Sequence, residues 1–124
     1  MSNRKDHIDK ARHNERFFSS FDIDTTPFLD WVVNGIFYSA LQYLDCYLAN
    51  QNKHPGNHSV RNSEIRADPV GLGRSFFKQY MHLKDDSEEG RYTMRVFVPD
   101  EVRNDILPLL SKIKTHLKKY IHDI

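Results

Sequence analysis

A chain of 124 residues with 18 Lys and Arg against 17 Asp and Glu carries a formal charge of +1, so net charge nominates no partner. That length supports a single hydrophobic core, and one domain over residues 1–124 is expected, with residues 1–5 frayed. The lone cysteine excludes an internal disulfide, and the absence of CxxC, HExxH, GxGxxG and GxxxxGK[ST] argues against the commonest zinc, dinucleotide and P-loop chemistries.

The opening MSNRKDHIDK has no apolar signal region, so a cytoplasmic protein without an anchor is expected. Residues 4–20 read as a first helix with a narrow stripe of Ile8, Ala11, Phe18 and Phe21, and Phe17 beside it. Thr26 is placed to cap a second helix whose first residue is Pro27. Along it Leu29, Val33, Ile36, Ala40, Leu44 and Leu48 recur at steps of three and four, and Trp31, Tyr38, Leu41 and Tyr47 widen the apolar surface. A helix apolar around most of its circumference is buried from several sides, so this one is expected to be the central post. Cys46 fits there as a small core hydrophobe. Asp30, Asn34, Gln42 and Asp45 interrupt the stretch too often for a membrane span.

KHPGNH, 53–58, is a turn, and SVRNSEIRA, 59–67, reads as a short helix. Asp68-Pro69 then breaks and restarts the chain, with Asp68 as N-cap. Leu72, Phe76, Tyr80 and Leu83 predict a helix over 70–84, ended by Asp85-Asp86-Ser87, with a brief turn over 88–92. TMRVFVPD, 93–100, has strand propensity but no partner to pair with, and reads as an extended connection. Val102, Ile106, Leu109, Ile113, Leu117, Tyr120, Ile121 and Ile124 mark a final helix, which Pro108 either kinks or delays to about Asp105. These elements sum to an all-α, up-and-down bundle of three long helices plus two or three short ones.

The segment His54 to Asn62, HPGNHSVRN, gathers two histidines, an arginine and two amides at a turn leading into a helix. His58 and Arg61, three apart, share a face of that helix. A helix start favours phosphate, an arginine can hold its oxygens in a fork, and a histidine moves protons near neutral pH. Asn57, Asn62, His54, Arg66 and Arg91 are candidate further contacts to a nucleotide or RNA. A second set, Arg74, Lys78, Arg91 and Arg95, alternates with Phe76, Phe77, Tyr80 and Tyr92, a pattern suited to single-stranded nucleic acid, although a solvated face explains it as well. Tyr38 and Asp45, seven apart on the central helix, share a face. Tyr38 is placed to bond across a subunit boundary, and an acid on so apolar a helix needs an arginine from a neighbouring one. His54 and His58 are four apart, but Pro55-Gly56 prevents the helix that would let them share a metal, so neither metal nor cofactor is expected.

The order of these features resembles the HEPN-domain superfamily. The resemblance rests on DWVVNGIFYSALQYLDCYLA (Asp30 to Ala49), HPGNHSVR (His54 to Arg61), Tyr80-x-x-Leu83, Ser87 and Arg91-Tyr92, and covers roughly residues 28–95. It implies a small helical bundle, a homodimer, and RNA or nucleotide binding. In many members it also implies metal-independent RNA cleavage, in toxin–antitoxin or defence systems with a nucleotidyltransferase-like partner. Active members carry an arginine and a polar residue followed at a set distance by a histidine. Arg61-Asn62 matches the front half, but the expected histidine falls on Arg66, Ala67 and Asp68. Cleavage would then rest on His58 as general base and Arg61 as the group stabilising charge on the phosphate, giving a cyclic phosphate end. The alternative is a non-catalytic helical module for protein–protein interaction.

Overall fold

A computed structural model describes residues 3–67 and 72–124. It is all-helical, with no strand among the described residues, and no helix among them is long and apolar enough to cross a membrane. Helix α1 spans Arg4–Ser19, α2 Leu29–Asn50, α3 His58–Arg66 and α4 Gly73–Tyr92. Then α5 (Pro99–Glu101), a π-helical turn (Val102–Ile106) and α6 (Leu107–Leu117) run on end to end. Three helices, α1, α2 and α4, are long, and α3, α5 and α6 are short, as the sequence leads one to expect.

Several boundaries differ from the sequence expectation, for local reasons. Helix α1 starts at Arg4 with Asn3 as its cap: the Asn3 side chain accepts from Asp6 N while the Asp6 carboxylate accepts from Asn3 N, a capping box. Helix α2 begins at Leu29, not Pro27, because Thr26 Oγ1 accepts the Phe28 N–H at 3.1 Å and holds a turn before the helix. Its end is set by Asn52, left-handed at φ 59°, with Lys53 N donating to Leu48 O and Asn52 N to Ala49 O, each at 2.9 Å. That is a Schellman stop, with asparagine in the position usually given to glycine. Helix α4 runs straight through Asp85-Asp86-Ser87 to Tyr92. Tertiary bonds override the local breakers: Ser87 Oγ donates to Asn34 Oδ1 at 2.5 Å, and the Asp86 carboxylate meets Arg95. The restart at Asp68 lies outside the described residues.

The final helix starts before Asp105 and passes through Pro108. Proline lacks an N–H and crowds the carbonyl four residues back. The wider π turn just before it, closed by Leu107 N to Val102 O, accommodates that misfit without a break. The helix ends at Leu117 rather than Ile124. The tail turns back onto α1, where Arg12 donates to Asp123 O at 2.7 Å and Arg4 pairs with the Asp123 carboxylate, leaving Ile121 in the core.

Helix α2 is the post the others pack around, touching α1, α4, α6 and the π turn. Its closest neighbour is α1: a Cβ on Gly35 would lie 2.9 Å from Phe18 Cβ, so only glycine lets the two helices meet there. Val33, Ile36, Ala40, Leu44 and Leu48 are fully buried, and Phe76, Tyr80, Leu83, Ile106, Ile113 and Leu117 close over them from α4, the π turn and α6. Cys46 is buried, and burial pushes its thiol up to about 11, against the pull of Arg4. Trp31 breaks the pattern, being half exposed at the start of α2. Of the expected connection over 93–100, residues 94–98 have no helix or strand, while Pro99 and Asp100 already begin α5. Arg95 and Phe97 turn inward along it, while Met94, Val96 and Val98 face outward.

Candidate functional site

The polar groups of the interior lie in a seam where α2 faces α4 and α3 crosses the top. Helix α2 contributes Asn34, Tyr38 and Asp45, all on one face; α3 contributes His58 and Arg61, one turn apart; α4 contributes Tyr80, Lys84, Ser87, Glu88 and Arg91. Asn57 starts α3 by accepting Val60 N at 2.9 Å, and this cap aims His58 and Arg61 back at α2 and α4.

At the inner end Arg61 is committed. Its Nε donates to Asp45 Oδ1 at 2.7 Å and its Nη2 to Asp45 Oδ2 at 2.9 Å, and both side chains are 8% exposed. Asp45 has thus found the arginine of a neighbouring helix that an acid in that position demands. The same fork is not open to a phosphate, so Arg61 serves the fold. Beside the pair, the Tyr80 hydroxyl is buried without a hydrogen-bond partner among the described residues. Burial pushes its phenol far up, so it stays protonated, with the Arg61 charge opposing.

The remaining Arg61 nitrogen, Nη1, lies 3.4 Å from His58 Nδ1. A guanidinium only donates, so this approach calls for the lone pair on Nδ1 and puts the neutral ring's proton on Nε2. Nε2 has no partner among the described residues and is a donor, not the proton acceptor a general base requires. Burial first, then the positive charges of Arg61, Lys84 and Arg91, hold His58 below the usual imidazole range, against an upward pull from Glu88. The ring, half-buried and packed 6.0 Å from Phe37, is therefore neutral near pH 7.

At the outer end Lys84 is buried and paired with Glu88, whereas Arg91 has no carboxylate partner among the described residues. Arg91 Nη1 donates to the Tyr38 hydroxyl at 2.7 Å, and its guanidinium lies 5.3 Å from the Tyr38 ring and 4.9 Å from the Tyr92 ring. Tyr38 thus bonds within its own chain. Arg91 borders a cavity of about 250 Å³ lined also by Asp30, Trp31, Gly90 and Tyr92.

Compared with protein-family models, with curated proteins and with solved structures, this chain finds no match.

The other expected contacts do not join this site. His54 stays in the exposed loop, Asn57 is spent on its cap, and Asn62 buries Oδ1 without a partner among the described residues. Arg66 is exposed, its guanidinium 5.0 Å from the Phe77 ring. The set of alternating basic and aromatic residues is dispersed. Arg74 and Lys78 lie near the start of α4, about 20–25 Å of helix away from Arg91. Arg95 is held by Asp86, Glu89 and Glu101 over the Phe97 ring. Phe76 and Tyr80 are core residues. No three His, Cys, Asp or Glu side chains among the described residues form a group that could hold a metal. Sequence reasoning missed Lys84 and Glu88. Their spacing from Arg91, seven and three residues, puts all three on one face, a signal hidden by ending the helix at Asp85.

Proposed function

We propose that the chain is an RNA- or nucleotide-binding protein whose anion site is the outer corner of this seam, with Arg91 and His58 as the phosphate contacts. The observation that carries the reading is Arg91. It is the guanidinium of the seam with no carboxylate among the described residues, and it shares its corner with a neutral imidazole whose Nε2–H is unspent. A guanidinium and an uncharged N–H donor on one seam, within each other's field and beside aromatic rings, suit a phosphate joined to a base. Resemblance to HEPN proteins points the same way, and with it a homodimer that sets two such corners together. Nuclease chemistry is the narrower form of the reading, because Arg61 is occupied and His58 presents a donor.

The test is fluorescence anisotropy of labelled single-stranded RNA with the wild type and His58→Gln, alongside gel analysis of the same RNA in chelator. Salt-dependent binding, weakened by His58→Gln and with the RNA intact, is the expected result. Cleaved RNA ending in a cyclic phosphate, abolished by His58→Gln, would restore the enzyme. RNA that neither binds nor changes would remove the proposal.

A second reading, a helical interaction module, has its own observation. Met94 and Val96 are 95% and 83% exposed on the extended connection, an apolar edge a companion protein would cover. A companion co-purifying with the wild type but lost from a Met94→Ser, Val96→Ser variant would support it.

A further inference from the structure

We infer that the cleft beside Arg91 is a nucleobase site that selects guanine; the inference rests on the phosphate reading of Arg91 and adds the base. Two large rings stand open to water at one place, Trp31 at 51% and Tyr92 at 76% exposure, and both line the 250 Å³ cavity. Rings and a guanidinium around a cleft of that size offer stacking faces to a base. Gly90 on its wall lets Phe97 pack close behind: a Cβ there would lie 2.8 Å from the Phe97 ring and 3.6 Å from Asp30 Cβ.

Asp30 supplies the selectivity. Its Oδ1 accepts its neighbour's backbone N–H, Trp31 N, at 3.0 Å, and it forms no ion pair among the described residues even though Arg91 lines the same cavity. An ionised carboxylate only accepts hydrogen bonds. Guanine alone among the bases presents two adjacent donors on its pairing edge, N1–H and the N2 amino group. Adenine and cytosine set an acceptor beside their amino group, and uracil sets carbonyls on both sides of its N–H, so each turns a lone pair toward the carboxylate. Arg91 then serves both halves of the ligand, its phosphate in the corner and its base in the cleft.

Trp31 is the only tryptophan, so its emission reports the cleft directly. Wild-type protein is titrated with GMP, AMP and ribose 5-phosphate, and in parallel its binding of a labelled hexauridylate is followed by anisotropy. GMP is expected to quench Trp31 at concentrations about ten-fold below those AMP needs. Ribose 5-phosphate should displace the RNA while leaving the emission unchanged. Asp30→Asn should bring GMP to the level of AMP, and Tyr92→Ala, at an exposed position, should weaken both. Equal quenching by GMP and AMP, no quenching while RNA still binds, or unaltered GMP binding by Tyr92→Ala would overturn the guanine cleft and leave the phosphate corner standing. Failure of RNA, ribose 5-phosphate and GMP alike to bind would overturn both.

Discussion

Arg61 and Arg91 lie on the same seam and differ in what meets them. Arg61 is buried, faces Asp45 across two short hydrogen bonds, and is electrically closed. Arg91 is half-buried, meets a neutral phenol and two aromatic faces, and keeps its charge uncompensated among the described residues. Two guanidiniums in one polar layer can thus do opposite jobs. Where a carboxylate is supplied from the central helix the arginine fastens α3 to α2; where a hydroxyl and a backbone carbonyl are supplied its charge has no counter-charge among the described residues. The distinction lives in the partner, not in the arginine.

The strongest way to break this contrast is at the closed end. Asp45→Ala would strand a buried guanidinium, and loss of one partner from such a pair typically destabilises by about 3–5 kcal/mol. That is a large share of a small domain's stability, about 5–15 kcal/mol. Urea unfolding would read it, and Asp45→Leu combined with Arg61→Met should recover most of the loss, since an apolar pair of similar volume has no charge to desolvate. A loss under about 1 kcal/mol for Asp45→Ala, the size of a solvated pair, would show that the inner end is not closed.

At the open end the effect moves from stability to binding. Arg91→Ala removes a charge-assisted hydrogen bond to Tyr38 and a long one from Nε to Ser87 O, a change of about 1.5–3 kcal/mol in stability. Yet it should weaken RNA binding by about ten- to a hundred-fold, the range for a charged hydrogen-bonding group. The slope of log affinity against log salt should fall by about 0.7, one phosphate contact on a single strand. Arg91→Lys should restore the slope better than the affinity, because an ammonium keeps the charge but not the planar fork that lies against Tyr38 and Tyr92. If Arg91→Ala instead unfolds the protein as Asp45→Ala does, the two arginines are alike and the comparison fails.

Much of the closed end was legible from the chain alone. The α2 stripe announces a central helix, an acid on that helix announces a partner, and the three-residue step from His58 to Arg61 puts both on one face. Which arginine would be free was not legible. That depends on Asp45 reaching α3 and on no carboxylate among the described residues reaching Arg91, and both are facts of tertiary distance. The outer corner was hidden for a more local reason. Asp85-Asp86-Ser87 resembles a helix stop because short polar side chains compete for nearby backbone groups. Asn34 and Arg95 occupy Ser87 and Asp86, so the competition never takes place and α4 continues to Arg91. Trp31 reads as a core residue because periodicity ranks a residue by position on a helix, and its cleft is shared with Gly90, Arg91 and Tyr92 of another helix.

The smallest expected effect joins the two ends, because His58 lies within the field of both arginines. Its pKa should fall below the ordinary imidazole value of 6.5, and an NMR titration of the ring would measure it directly. The sign for stability follows. Because the folded value is depressed, the unfolded chain takes up the proton first as pH falls. The full contribution is present above 6.5 and is lost as pH drops through the folded value. Urea midpoints should therefore decline on acidification through that window, and His58→Gln should flatten the decline. Arg91→Ala removes an uncompensated cation and should move the His58 pKa back up toward 6.5. Asp45→Asn, which exposes the ring to an unpaired Arg61, should move it further down. Opposite shifts from the two variants would show that one guanidinium acts on the ring bare and the other only when its partner is taken away; shifts of the same sign would mean the ring cannot tell the two arginines apart.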